Sequence, residues 1–179
     1  MVQTLHGQSL TLPQSIITIG AFDGVHKGHQ SVITHVVHES RKRGIPSVVY
    51  TFDPPPRAYF KGAKILTTLD EKLERIESLG VDYAVIASFN KEYLKQSSSQ
   101  FINTLMSFHP EEIFVGNDFR FGNGREGNVE TLRHFFKVNT LNPVCCEQGT
   151  VISSTRIRKL IEQGKNFEAS NLLGLHLQL

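Results

Sequence analysis

Two short stretches near opposite ends of the chain carry residue types suited to phosphate chemistry. The first is His26-Lys27-Gly28-His29, which closes the run IITIGAFDGVHKGHQ over residues 16–30. The second is VISSTRIR over residues 151–158, where Ser153, Ser154 and Thr155 precede Arg156 and Arg158. Each reads as the start of a helix, where backbone N–H groups lack intrahelical acceptors and the helix dipole is positive. Two imidazoles, a glycine that lets an anion approach the backbone, hydroxyls at an N-cap and a bidentate guanidinium are together suited to a polyphosphate. Arginine in a first helical turn opposes the dipole unless an anion compensates it. Taken singly, each stretch is also satisfied by a surface turn or an ordinary capped helix; the presence of both favours phosphate.

Alternating strand and helix patterns must hold these stretches. An apolar strand feeds the first histidine, and the following helix places Val32, Ile33, Val36 and Val37 on one face, with Gly44 past its end. Residues 47–52 (SVVYTF) read as a strand bounded by prolines, and a proline-rich loop runs on to Lys64. Thr68 and Glu71 make a capping box for a helix with the stripe Leu69, Leu73, Ile76 and Leu79, closed by Gly80. Residues 83–87 (YAVIA) suit a strand covered on both faces. Then follow a helix at 100–108, a short strand at 113–115, a glycine-rich loop, a helix at 129–138, a strand at 144–147 and helices at 155–163 and 167–173. Five βα units predict an α/β fold, a Rossmann-like parallel sheet with helices on both faces. Ligands of such sheets bind beyond the carboxyl ends of the strands, where the loops 20–29, 53–57 and 116–127 fall.

The bulk properties exclude several classes. The chain has 179 residues, 39% of them hydrophobic and 20% charged, which suits a single globular domain. A net charge of +2 without a basic stripe gives no footprint for nucleic acid; Arg41-Lys42-Arg43 is read as compensating a helix C-terminus. No apolar run approaches the roughly 20 residues of a membrane span, and the N-terminus lacks the features of a secretory signal. Cys145 and Cys146 are adjacent, face opposite ways if on a strand, and suit reduced core or near-core residues of a cytoplasmic protein. Nothing in the sequence sets an oligomeric state.

Read in order, GAFDGVHKGH (20–29), TFDPPP (51–56), LTTLDEKLERIESLGVDY (66–83), FVGNDFRFGNGREG (114–127), ISSTRIR (152–158) and LLG (172–174) carry a resemblance. The chain resembles the nucleotidylyltransferase superfamily of the H-x-G-H type, and within it the FMN adenylyltransferase (FAD synthetase) module of bacterial bifunctional riboflavin kinase/FMN adenylyltransferases. The resemblance implies transfer of AMP from ATP, with Mg²⁺, to FMN, giving FAD and pyrophosphate. By the same resemblance His26, His29 and Arg158 are the catalytic candidates. Gly20, Phe22, Asp23, Gly28, Ser154 and Thr155 would bind ATP, and Asp53, Asn117, Asp118, Phe119, Arg120 and Phe121 would bind the flavin and adenosine ends. Arg158 is expected to be dispensable for the fold. Two departures fall on the flavin side: Pro55 stands where the family usually has histidine, and Ala21 where a polar residue is frequent. Family members continue into a riboflavin kinase barrel, so a single adenylyltransferase domain over 1–179 without riboflavin phosphorylation is expected.

Rival patterns are weaker. Residues 122–127 (GNGREG) match G-x-G-x-x-G, with Glu147 about 20 residues on, but Asp118 and Arg120 separate them from the preceding strand. The pairs His26/His29 and His35/His38 lack the companion ligands of a zinc site, so no metal ligand set is assigned. A non-catalytic flavin- or nucleotide-binding protein on the same scaffold, or nucleotidylyl transfer to another phosphate-bearing acceptor, are the alternative functions.

Overall fold

A computed structural model describes residues 3–6 and 11–174. In chain order the elements are β1 (Gln3–His6), β2 (Ser15–Ile19), α1 (Lys27–Arg43), β3 (Ser47–Asp53), α2 (Pro56–Lys61), α3 (Leu69–Ser78), β4 (Tyr83–Ser88), α4 (Lys91–Leu94), α5 (Ser98–Met106), β5 (Pro110–Gly116), β6 (Arg120–Phe121), β7 (Gly127–Asn128), α6 (Val129–Arg133), β8 (Val138–Leu141), α7 (Ser154–Glu162) and α8 (Asn166–Leu173). Six strands form one sheet in the order β1-β4-β3-β2-β5-β8, with every neighbouring pair parallel. From β2 the chain winds outward through β3 to β4, then returns to β2's other side as β5 and winds the opposite way. That reversal leaves a crevice at the carboxyl ends of β2 and β5.

Period-two alternation divides the central strands between two cores. Ile17 and Ile19 of β2, Val48 and Tyr50 of β3, and Ile113 and Val115 of β5 join Phe101, Leu105, Phe108 and Leu132 in one cluster. Val49 of β3 and Ala84 of β4 join Ile33 and Val37 of α1 and Ile76 of α3 in another. The last two helices pack on each other through Ile157, Leu160, Ala169 and Leu172. The capping box of Thr68 and Glu71 forms as its spacing predicts, and Gly44 ends α1 at φ 67°.

Several elements differ from expectation. The proline-rich loop contains α2, which begins at Pro56, where proline's fixed φ suits the first helical turn. The helix expected over 129–138 ends at Arg133, and Val138–Leu141 pairs with β5 instead. An apolar period can serve either element, and here the open edge of β5 decides between them. The segment 144–147 lies outside the sheet, with Cys145 bridged to Val151. Cys145 is exposed, whereas Cys146 is half-buried against the core of the last two helices; neither forms a disulfide. β1 adds a sixth strand beside β4, without the apolar run that would have announced it.

The 116–127 loop becomes a small antiparallel hairpin, β6 with β7, closed by a 3-10 turn at Asn123–Arg125. GNGREG therefore spans a hairpin rather than a strand-to-helix turn, which removes the dinucleotide reading. Gly122 sits at φ 76°, and a Cβ there would lie 2.8 Å from the backbone N of Ser98. Gly122→Ala is expected to cost about 2 kcal/mol of stability, read as a lower urea midpoint at unchanged m-value.

Candidate active site

The loop between β2 and α1 occupies the crevice, and its backbone is bent tightly. Phe22 (φ 46°), Gly24 (φ 84°) and Val25 (φ 38°) all lie in the left-handed region, which is unusual for an aromatic and more so for a β-branched residue. Bonds from four other elements hold this shape. The N–H of Gly20 donates to Tyr50 O at 3.0 Å, and the Thr51 hydroxyl donates to Ala21 O at 3.1 Å. The N–H of Gly24 donates to Thr67 Oγ1 at 3.1 Å, and Arg75 donates to Gly24 O at 2.7 Å. Gln30 reaches back from α1 to Val25 O at 2.8 Å and also to Leu173 O of α8 at 3.0 Å.

His26 is the N-cap of α1, and its Nδ1 accepts the N–H of His29 at 3.3 Å. With Nδ1 accepting, the neutral ring carries its proton on Nε2 and can donate there. The two imidazoles stack with centroids 3.5 Å apart and an interplanar angle of 17°, and Phe22 meets His29 edge-on at 5.3 Å. Burial pushes the His26 pKa down to about 4. His29 is held well below its ordinary value, first by burial and then by the charges of His26 and Lys72. The pair is therefore neutral at pH 7. The Nδ1 of His29 is buried and has no hydrogen-bond partner, so one polar atom of the site is unsatisfied in the free protein. A Cβ on Gly28 would lie 3.1 Å from the His26 ring and 3.6 Å from Ile152 O. The glycine thus admits the ring and the close approach of the segment that leads into α7, in addition to any ligand.

Asp23 joins that segment to the histidine loop. It is 2% exposed, and its carboxylate accepts the N–H of Leu66 at 3.0 Å and the guanidinium of Arg158. Its carbonyl accepts the Ser154 hydroxyl at 2.9 Å. Arg158 donates through Nε to Lys64 O at 2.7 Å. Arg158 is thus a structural anchor as well as a site residue, against the expectation that the fold could spare it: truncation would strand a buried carboxylate. Ser153 caps α7 by accepting the N–H of Arg156 at 3.3 Å. Arg156 turns away to Cys146 Sγ at 3.2 Å and Thr150 O at 3.3 Å, which explains how a first-turn arginine is compensated without a ligand. That bond, before any other cause, lowers the Cys146 thiol pKa to about 7. Thr155 is exposed and accepts a bond from Arg57.

The residues expected on the flavin side are less uniform. Asp53 ends β3 half-buried before the cis Asp53–Pro54 bond, and its carbonyl accepts the N–H of Phe89 at 2.8 Å. Asn117, Asp118 and Arg120 are exposed beyond β5. Phe119 is half-buried and stacks on Phe121 at 5.7 Å. Phe121 is a core residue at 6% exposure, so its contribution to a ligand face is indirect. Exposed Tyr59 and Phe60 of α2 flank Phe89 at 5.5 and 5.7 Å, an aromatic face that sequence reasoning missed inside the presumed loop. It also missed Arg57 and Lys72. Lys72 had a legible signal, since it falls on the apolar stripe of α3 between Leu69 and Ile76. His35 packs edge-on against Phe114 at 5.0 Å and His38 is exposed, leaving them outside the site. A cavity of about 740 Å³ lies between β4, α4 and α5 and is lined by none of the histidines, Asp23, Ser154 or Arg158.

Two helix N-termini, a pair of neutral imidazoles and an arginine are thus brought together at the switch point of a parallel sheet. The fold and the H-x-G-H and S-S-T-x-I-R starts together define the α/β nucleotidylyltransferase class. Within it, the chain belongs to the FAD synthetase family, whose sequence profile matches residues 9–156. It is 52% identical over 167 residues to a Geobacillus thermodenitrificans protein provisionally named bifunctional riboflavin kinase/FMN adenylyltransferase, covering 93% of both chains. It is 36% identical over 186 residues to the Escherichia coli K12 bifunctional riboflavin kinase/FMN adenylyltransferase, with 97% of this chain matched but only 59% of that longer protein. A Streptococcus pneumoniae crystal structure described as a macrolide-efflux protein superposes with a TM-score of 0.84 at 28% identity, over 99% of this chain and 72% of that one. Among the described residues, no helix is long and apolar enough to cross a membrane.

Because the folded imidazoles bind protons less readily than the unfolded ones, the unfolded state holds more protons below about pH 6.5. Stability is therefore expected to fall as pH drops from about 6.5 through the His26 pKa of about 4. In urea unfolding at pH 7 and pH 5, the wild type should lose more stability than a His26→Gln, His29→Gln double variant. Arg158→Ala should lose about 3–5 kcal/mol at pH 7.

Proposed function

We propose that this chain transfers the AMP group of ATP to the phosphate of FMN, producing FAD and pyrophosphate. An FMN phosphate oxygen attacks the α-phosphorus, the bond to the bridging oxygen breaks, and pyrophosphate departs; no electron is transferred. The nucleophile is already an anion, so the reaction needs no serine, cysteine or general base. Positioning and stabilisation of the charge on the departing pyrophosphate are the work left to the protein. Mg²⁺ enters as the ATP complex and thus as substrate, in keeping with its habit of pairing phosphates with few protein ligands. Among the described residues no cluster of three His, Cys, Asp or Glu could cage a metal.

The single observation that carries this reading is the union of the two helix starts through Asp23, Ser154 and Arg158. In this reading His26 and His29 donate to the triphosphate as neutral imidazoles. The N-termini of α1 and α7, with Gly28, Ser154 and Thr155, receive the phosphates. Gly20, Phe22 and Asp23 shape the loop beneath the nucleotide, and the N–H groups of Arg158 not bonded to Asp23 or Lys64 face the leaving group. Asp53, Asn117, Asp118, Phe119 and Arg120 belong to the acceptor side, with Phe121 supporting them from the core. The exposed Tyr59 and Phe60 rings are chemically suited to a flat isoalloxazine. Only the adenylyl-transfer half of the relatives' names is drawn to this chain, and a cytoplasmic setting, where ATP and FMN are both present, accompanies it.

Purified protein incubated with Mg·ATP and FMN is expected to form FAD and pyrophosphate in equal amounts, followed by chromatography and a pyrophosphate assay. Binding of ATP and FMN without FAD would leave a non-catalytic binding protein, and product from a different phosphate-bearing acceptor alone would reassign the substrate. His29→Ala is expected to lower turnover by about 100-fold or more with an unchanged circular dichroism spectrum.

A further inference from the structure

One buried cation has no part in the phosphate scheme above. Lys72 lies on α3 at 1% exposure, among the largest fully buried side chains of the protein. A lysine is almost never buried completely without partners, and its partners here are two carbonyls at strand ends. Its Nζ donates to Phe52 O at 2.8 Å, the penultimate residue of β3, and to Ala21 O at 3.4 Å, in the loop that leads to His26. Burial lowers its pKa from the ordinary lysine value, and the charges of Asp53 and Asp23 offset part of that.

We infer that Lys72 is a positioning residue for the adenylyl-transfer site: its ammonium ties the β2–α1 loop, which carries the stacked histidines, onto the end of β3. This rests on the proposed function for what the site does, but not for what Lys72 does to the site. Mechanically, Ala21 precedes the three left-handed backbone positions, so a tie at its carbonyl limits how the loop can relax. Thr51 shares that carbonyl from β3, so the two bonds fix it from α3 and from the sheet. Electrostatically, the groups that act on His29 are His26 on its own helix start and Lys72 on α3, and those that act on Lys72 are Asp53 at the end of β3 and Asp23 in the loop. Burial is the main cause that holds His29 neutral, and the Lys72 charge adds to it by opposing protonation. Neutral donors suit a site that must bind a polyanion and later release pyrophosphate.

Lys72→Met tests this, because methionine keeps the buried volume and Thr51 still satisfies Ala21 O. The expected result is a fall in kcat of about tenfold or more, with the KM for ATP changed by less than about threefold. The His29 imidazole, followed by NMR without substrates, should titrate at higher pH than in the wild type. Lys72→Arg, which keeps the cation, should restore most of the turnover and the wild-type titration. Turnover of Lys72→Met within about twofold of wild type, or an unmoved His29 titration, overturns the inference. So does a folded Lys72→Arg variant as impaired as Lys72→Met. Should Lys72→Met not fold, Lys72→Gln carries the same readings. A wild type that makes no FAD would refute the proposed function, whereas the substrate-free titration judges Lys72 separately.

Discussion

Leu66, Ser154 and Arg158 all bond to a single residue, Asp23, and the last of them lies 135 positions away in the chain. Buried carboxylates are tolerated only where their lone pairs are met and their charge is paired, and here both conditions are supplied by elements that must be correctly docked. The histidine loop, the connection before α3 and the start of α7 are therefore held in one geometry. Losing any one of them would leave a charged group stranded. The same constraint that stabilises the loop also brings the starts of α1 and α7 together.

Around that anchor the site is built from neutral donors backed by buried cations. The imidazoles are desolvated and uncharged, while Arg158 and Lys72 are bonded to the loop that carries them, at Asp23 and Ala21 respectively. Such a layout offers an anion directed N–H groups at short range and positive potential at longer range. Groups fixed before the ligand arrives need no reorganisation as charge moves. The strained left-handed positions at Phe22 and Val25 fit this picture, since bonds from β3, α1 and α3 hold a backbone that would otherwise relax.

The fold places this chemistry where parallel sheets generally bind ligands. Winding outward from β2 in both directions opens the crevice between β2 and β5, and the loops that follow those two strands are the histidine loop and the Gly116–Phe121 segment. Membership of the FAD synthetase family accords with that placement. α2, with Tyr59 and Phe60 outward and Arg57 bonded to Thr155, closes the third side.

Local sequence determined the helix starts at His26, Thr68 and Ser153, the glycine at the end of α1 and the burial of the central strands on both faces, because caps and apolar runs act within a few residues. It also singled out, by residue type, the two distant stretches that the fold joins through Asp23. Only the tertiary structure decided that residues 138–141 are a strand and 133 ends a helix, because an apolar period fits either element until the open edge of β5 is present. The same holds for the pairing of Asp23 with Arg158, the carbonyl partners of Lys72, the turning of Arg156 toward Cys146 and the burial of Phe121. Each of these depends on which distant group removes water from which side chain, and that information is not carried by spacing along the chain.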